Sequence, residues 1–244
     1  GGHSCSSPQV LVLQFLGVLV TELAQDVGPH ALVYTTLGWA YYYYGLRWWL
    51  PLLMTGIFLL ELLMVALWTV VVKWVVLGRQ RPGSYPLWGG VYLRWWLVDR
   101  FMEDAHNMLG IVAETPVLLI WYRLLGAKIA GGQFGNSAAP TRLNHPKMCT
   151  PDLVDIGAGV VVERHVTIGN AAVYAGMLHL DHVSVGPGCE INSGSYVSPG
   201  THLPPLTRLL PYATSAGKLG GLPGTTAPIE LGRGDAACRQ AEER

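Results

Sequence analysis

The sequence predicts an α-helical membrane region followed by a parallel β-helix, and three observations carry that expectation. Residues 1 to 78 hold only five formal charges: Glu22, Asp26, Arg47, Glu61 and Lys73. All nine tryptophans lie at or before Trp121. Beyond residue 150, aliphatic residues recur at intervals of six. Across 244 residues the chain is 50% hydrophobic and 13% charged, against about 25% charged in an ordinary soluble domain. Its mean hydropathy of +0.32 argues against a disordered chain. Sixteen basic and sixteen acidic residues cancel, so the excess of positive charge that marks nucleic-acid binders is missing, and no nucleic-acid partner is expected.

Three apolar stretches precede residue 78, and a helix of about 20 apolar residues crosses a bilayer's hydrocarbon core. Val10 to Ala24 is short and ends in a polar turn at Glu22 and Asp26, before Gly28-Pro29. Ala31 to Leu50 is rich in aromatics, with Tyr41 to Tyr44 in one run and Trp48-Trp49 at its end. Leu52 to Leu77 is the strongest span, interrupted by Glu61. Tyr and Trp favour the water–lipid boundary, so Trp48, Trp49 and Trp74 read as belt residues. A signal peptide on a soluble protein does not explain the third stretch, which is too long and too far from the N-terminus. Three transmembrane helices in residues 1–78 are therefore expected, with the first shortened, since the chain opens on Gly1-Gly2-His3. Arg79, Arg81, Arg94 and Arg100 follow the last span, whereas Arg47 stands alone on the other side. The positive-inside rule then directs everything after residue 78 to the cytosol, as part of an integral membrane protein.

Residues 79–129 read as interfacial helices and a connector. In Leu87 to Met102, Trp88, Tyr92, Trp95 and Trp96 share one side of a helix and Arg94 and Asp99 fall elsewhere, a pattern suited to lying along a lipid surface or to packing on the next domain. Thr115 to Arg123 is apolar but too short to cross. Pro116 suits its first turn and Gly126 suits its stop.

The ladder occupies residues 130–210. Ile156, Val162 and Ile168 are spaced by six, with Tyr174 and Leu180 continuing less cleanly; after a slip, Val185, Ile191, Val197 and Leu203 resume the period. An aliphatic residue every six positions with small neighbours is the mark of a parallel β-helix, in which each hexapeptide makes one short strand and a turn and three make a triangular coil. No coil buries a face alone, so stacking supplies the core and the ends need shielding. About three coils are expected. Gly157, Gly159, Gly169, Asn170, Gly186, Gly188, Asn192 and Gly194 read as corner residues. Residues 211–244, rich in Gly, Pro, Thr and charge, read as a disordered tail.

The segments Lys73 to Arg79, Arg81 to Trp88 and Tyr92 to Arg100 resemble a membrane-domain motif. Tyr122 to Ile129, Pro151 to Gly157 and Pro199-Gly200-Thr201 add further matches. Together they resemble the C-terminal region of the ε-poly-lysine-synthetase-like nonribosomal peptide synthetases over about residues 10 to 210. That region interleaves transmembrane helices with domains like the hexapeptide acyltransferases of the trimeric LpxA-like superfamily. The resemblance implies a left-handed parallel β-helix of hexapeptide repeats and amide-bond-forming acyl or aminoacyl transfer. It also implies a thioester donor, either acyl-CoA or a phosphopantetheine carrier, and as partners a carrier or adenylation domain and further copies of the chain. No bound cofactor is expected.

Transfer to an amine needs a base to take the amine's proton, and imidazole suits that near neutral pH. The candidates are His179, His182 and His165, with Asp181 placed in sequence to orient a ring. The cluster from Leu178 to His182 falls where the ladder slips, so its side chains are expected to project from the solenoid. Asn192 and Ser193 are candidate substrate-binding donors for an oxyanion, and Glu61 a candidate on a substrate path, since a carboxylate at bilayer depth usually faces protein. The alternative is a catalytically inactive, membrane-tethered scaffold. The scattered Cys5, Cys149, Cys189 and Cys238 lack zinc spacing, so no metal is expected.

Overall fold

The structure is a computed structural model that describes residues 8–23, 28–45, 47–131, 140–215 and 231–233. It divides into two compact units. One comprises residues 1–77 and 88–108, the other residues 78–87 and 109–244.

In the first unit the apolar stretches are helices: α1 (Pro8–Glu22), α2 (Gly28–Tyr44) and α3 (Leu50–Val72), the last running into a π-helical turn, Lys73–Leu77. The 28 residues of Leu50–Leu77 form the one helix among the described residues that is long and apolar enough to cross a membrane. At about 1.5 Å per residue they exceed the roughly 30 Å hydrocarbon thickness. The described α1 and α2, of 15 and 17 residues, fall short of it. Pro51 sits in the first turn of α3, where a missing N–H leaves no helical bond unmade. Lys73 is buried, with Nζ 3.5 Å from the centre of the Trp74 ring.

α4 (Gly90–Leu109) follows. Trp88, expected within this helix, lies before it in the left-handed region at φ 67°. It still stacks edge-on against Tyr92, which in turn meets Trp95, so the aromatic side read from the sequence exists although the helix starts later.

In the second unit, α5 (Pro116–Leu124) begins at its proline and stops before Gly126, at φ 111°. This apolar stretch, within the expected connector, lies against the solenoid's first strand, Lys128–Ile129. Leu118, Leu119, Trp121 and Tyr122 are buried. The Tyr122 hydroxyl donates to the Pro146 carbonyl, and Arg123 donates to the Ile129 carbonyl at 2.8 Å.

The solenoid has three parallel faces. On the first lie β2 (Lys128–Ile129), β5 (Val154–Ile156), β10 (Val183–Val185) and β13 (His202–Leu203). On the second lie β3 (Arg142–Leu143), β6 (Val161–Val162), β11 (Glu190–Ile191) and β14 (Thr207–Leu209). The third holds β4 (Lys147–Met148), β7 (Thr167–Ile168) and β12 (Tyr196–Val197), with Thr214 bridging to Tyr196. Among the described residues four rungs run from Lys128 to Ser215, where the sequence predicts about three. A strand at Leu231–Arg233 pairs antiparallel with β14, within the segment expected to be a disordered tail; the rest of that segment lies outside the described residues.

Register stacks like on like. Ile129, Ile156, Val185 and Leu203 form one interior column, Leu143, Val162, Ile191 and Leu209 a second, and Met148, Ile168 and Val197 a third, all buried. The step of six carries the chain from one face to the next, and each strand then stacks its column residue on that of the neighbouring rung.

Candidate functional site

The slip in the ladder is a hairpin. After Gly169 the chain leaves the solenoid, forms β8 (Ala171–Tyr174) and β9 (Met177–Leu180), and returns at Val183. Ala175 and Gly176 have φ of 50° and 74°, the doubly positive pair that turns a two-residue hairpin with the right twist. Asn170 pins its base. This buried amide exchanges hydrogen bonds with the backbone of Thr150 on the preceding rung, accepting from Thr150 N–H at 2.9 Å and donating to the Thr150 carbonyl. The Asp181 N–H closes the neck on the Asn170 carbonyl at 3.0 Å.

A third strand completes a small antiparallel sheet. β1 (Gly83–Pro86) comes from the stretch between the π-helical turn and α4, and its residues Gly83, Ser84, Tyr85 and Pro86 face Leu180, His179, Leu178 and Met177. The Leu87 N–H extends the ladder to the Gly176 carbonyl at 3.0 Å, and the Gln80 N–H donates to Asp152 Oδ2 at 3.2 Å. Alternation along β9 decides which side chains go where: Leu178 and Leu180 are buried, whereas Met177 and His179 project from the other face, half-buried.

His179 is the centre of that face. Its Nδ1 lies 2.7 Å from the Ser84 hydroxyl, directly across the strand pair. Tyr174 stacks on the ring with centroids 3.9 Å apart and planes 17° from parallel. Nε2 is buried and has no hydrogen-bond partner among the described residues. Leaving a buried polar atom unsatisfied costs about 1–3 kcal/mol, so such an atom calls for an explanation, and a catalytic role is one of those recognised.

The other expected site residues lie elsewhere. The group on His179 Nδ1 is the Ser84 hydroxyl, whereas the sequence points to Asp181 as the residue that orients an imidazole; Asp181 Oδ1 accepts the His182 backbone N–H at 2.8 Å, closing a turn. His182 is half-buried just before β10. His165 is an exposed corner residue at φ 58°. It falls in the turn between the second and third faces that His145, Gly194 and Tyr212 occupy on the other rungs, all with positive φ. Asn192 and Ser193 belong to that same turn. The Asn192 amide donates to the Leu209 carbonyl at 2.6 Å, and the Ser193 carbonyl accepts from Tyr212 N–H at 3.1 Å. The third face separates this turn from the hairpin, so the expected oxyanion donors brace neighbouring rungs instead of facing His179. Glu61 lies on α3, in the other compact unit.

Ser84 and Tyr174 are not legible in the sequence as site residues. Tyr174 falls on the inward register by spacing, but it sits at the hairpin tip, stacked outside the solenoid. The signal for it is the change of period from six to two between Ala171 and Leu180 around an Ala-Gly turn. Ser84 pairs across 95 positions of sequence, and no local pattern marks it.

Among the described residues no group of three or more His, Cys, Asp or Glu side chains is placed to hold a metal ion. Burial raises the pKa of the Cys189 thiol, which fills an interior corner and points at the Pro204 carbonyl, with lesser lowering by hydrogen bonds from Thr207. Burial also raises the Tyr122 and Tyr196 phenols, helped by the neighbouring Cys149.

No protein-family model matches the chain. In sequence it is similar to the delta-poly-L-ornithine synthetase of Acinetobacter baumannii (strain AB307-0294), 23% identical over 130 residues, which is 53% of this chain and 9% of that protein. The chain thus spans under a tenth of the length of the relative it matches. Among solved structures, serine acetyltransferase isoform 3 from Entamoeba histolytica, in complex with cysteine, aligns over 88% of this chain and 77% of its own, with 12% identity and a TM-score of 0.21.

Proposed function

We propose that the chain is a membrane-anchored, acyltransferase-like protein built on a left-handed hexapeptide β-helix, forming amide bonds from a thioester donor and an amine. The observation that carries this reading is the imidazole of His179, held by Ser84 and Tyr174 with its remaining nitrogen unpartnered among the described residues. The sequence similarity to a poly-amino-acid synthetase supports the choice of an amine acceptor. The amine attacks the thioester carbonyl, a C–N bond forms and the C–S bond breaks. His179 Nε2 takes the proton from the attacking nitrogen and returns it to the departing thiolate.

The donor in this reading is acyl-CoA or an acyl group on a phosphopantetheine carrier. An adenylation or carrier partner would supply it, and assembly with further copies is part of the proposal. The helix Leu50–Leu77 supports anchoring in lipid, with the β-helix on the cytosolic side following the Arg79, Arg81, Arg94 and Arg100 cluster. Glu61 is proposed to face protein within that anchor. One observation favours a second reading, a non-catalytic scaffold: Nε2 is covered, so substrate must displace whatever covers it.

The test is amide formation by the full chain in lipid, supplied with a loaded carrier or acyl-CoA and a small diamine. General-base catalysis contributes about 10²–10⁴-fold, so His179→Gln should lose at least the lower figure while thermal unfolding is unchanged. An unaltered rate in the folded variant would rule out His179 as the base, whereas no amide formation by the unmodified chain would leave the scaffold reading standing.

A further inference from the structure

A neutral imidazole acts as a base through one nitrogen only when its proton sits on the other. Two facts bear on where the His179 proton resides. Ser84 Oγ, able to donate or accept, lies 2.7 Å from Nδ1, and the buried Nε2 has no hydrogen-bond partner among the described residues. Orphaned buried N–H donors are rarer in folded proteins than under-satisfied acceptors, so a proton on Nε2 is the less favourable arrangement. The remaining one places it on Nδ1, donating to the serine.

We infer that Ser84 is the positioning residue of this site: its hydroxyl accepts a hydrogen bond from the Nδ1–H of His179 and so keeps the Nε2 lone pair available, an inference that rests on His179 being the base proposed above. The two side chains share a face because they are direct cross-strand partners, which in an antiparallel pair brings Cβ atoms to about 5 Å. The Tyr174 ring lies against the imidazole plane and limits its tilt. A hydroxyl also suits both halves of the reaction, since it accepts from Nδ1–H whether or not Nε2 is carrying the substrate's proton.

The inference assigns a task to β1. This strand is the short segment between Leu77 and Trp88, two residues of the helical unit. It is tied to the solenoid through the Gln80–Asp152 bond and the ladder to β9. The solenoid proper carries the imidazole, and the loop between α3 and α4 carries the group that sets its tautomer.

The experiment uses the full chain in lipid, with histidine labelled in the ring nitrogens and the His179 signals identified by their loss in His179→Gln. The wild-type ring should show Nδ1 protonated and Nε2 bare. Ser84→Ala should shift the population toward the Nε2–H form that free imidazole favours and lower amide formation about 10-fold, the ratio one ordinary hydrogen bond commands. Ser84→Thr should restore both readouts. A ring that stays Nδ1-protonated in Ser84→Ala, with His179→Gln inactive, would overturn the role of Ser84 alone. Undiminished transfer by His179→Gln would overturn both the base and its positioning, whatever the ring signals show.

Discussion

Gly157 lies directly against Pro187 on the next rung: a Cβ at Gly157 would stand 2.5 Å from the Pro187 nitrogen. One rung later the relationship repeats, with a Cβ at Gly186 falling 2.6 Å from the nitrogen of Pro205. Neither glycine has positive φ. They are required because backbone passes within contact of backbone, and a proline cannot swing aside like the end of a flexible side chain.

Gly157→Ala and Gly186→Ala should each destabilise the solenoid by about 1–3 kcal/mol, the usual cost of overpacking, and thermal unfolding in lipid measures it. Gly176→Ala makes a contrast, because nothing lies within 4 Å of its Cβ position and the strain is that of its φ of 74°. It should perturb the hairpin and the His179 ring environment while leaving the rungs intact.

Asn170→Ala should be more costly than its small volume change suggests. It takes from the Thr150 N–H its Asn170 acceptor and from the Thr150 carbonyl one donor, with the Leu153 N–H remaining, in a buried corner, at about 1 kcal/mol per lost hydrogen bond. Faster amide exchange at Thr150 and at the hairpin neck, ahead of exchange in β11 and β14, is the expected signature.

Alkaline pH should loosen the second unit. Cys189 and Tyr122 are acids whose pKa is raised by burial in the folded chain, so the folded state holds their protons longer than the unfolded one. Their contribution is complete below the ordinary values of about 8.5 for a thiol and about 10 for a phenol. It is lost as pH rises through the higher folded values. Stability against denaturant should fall from about pH 8.5 upward. Tyr122→Phe, although it forgoes the bond to Pro146, should flatten the part of that fall above about pH 10.

The anchor can be probed at Leu63, an exposed leucine on α3. Leu63→Arg should disfavour insertion by about 2.5–3.5 kcal/mol on translocon scales, and the fraction of chain resisting alkaline carbonate extraction should drop. If the fraction is unchanged, Leu50–Leu77 does not span.

Two patterns are legible in the residues themselves, and both survive in the folded chain. The apolar text from Leu52 to Leu77, interrupted by Glu61, is a long helix, because in such a run the backbone satisfies its own hydrogen bonds only within itself. The step of six at Ile156, Val162, Ile168, Val185, Ile191 and Val197 is the set of inward positions of a stacked coil. Local order of this kind is written into neighbouring residues. Asn192 also has its corner role in the sequence, although its chemistry invites a second reading as a hydrogen-bond donor.

The sequence alone therefore determined the two kinds of structure, the interior residues and the place where the ladder breaks. Tertiary structure alone decided what the break becomes. It turned the slip into a hairpin, paired that hairpin with a strand 95 positions upstream and set Ser84 on His179 Nδ1. That pairing depends on which distant backbone edge completes the sheet, and edge hydrogen bonds between N–H and C=O groups carry no residue code. Only the folded chain brings them together.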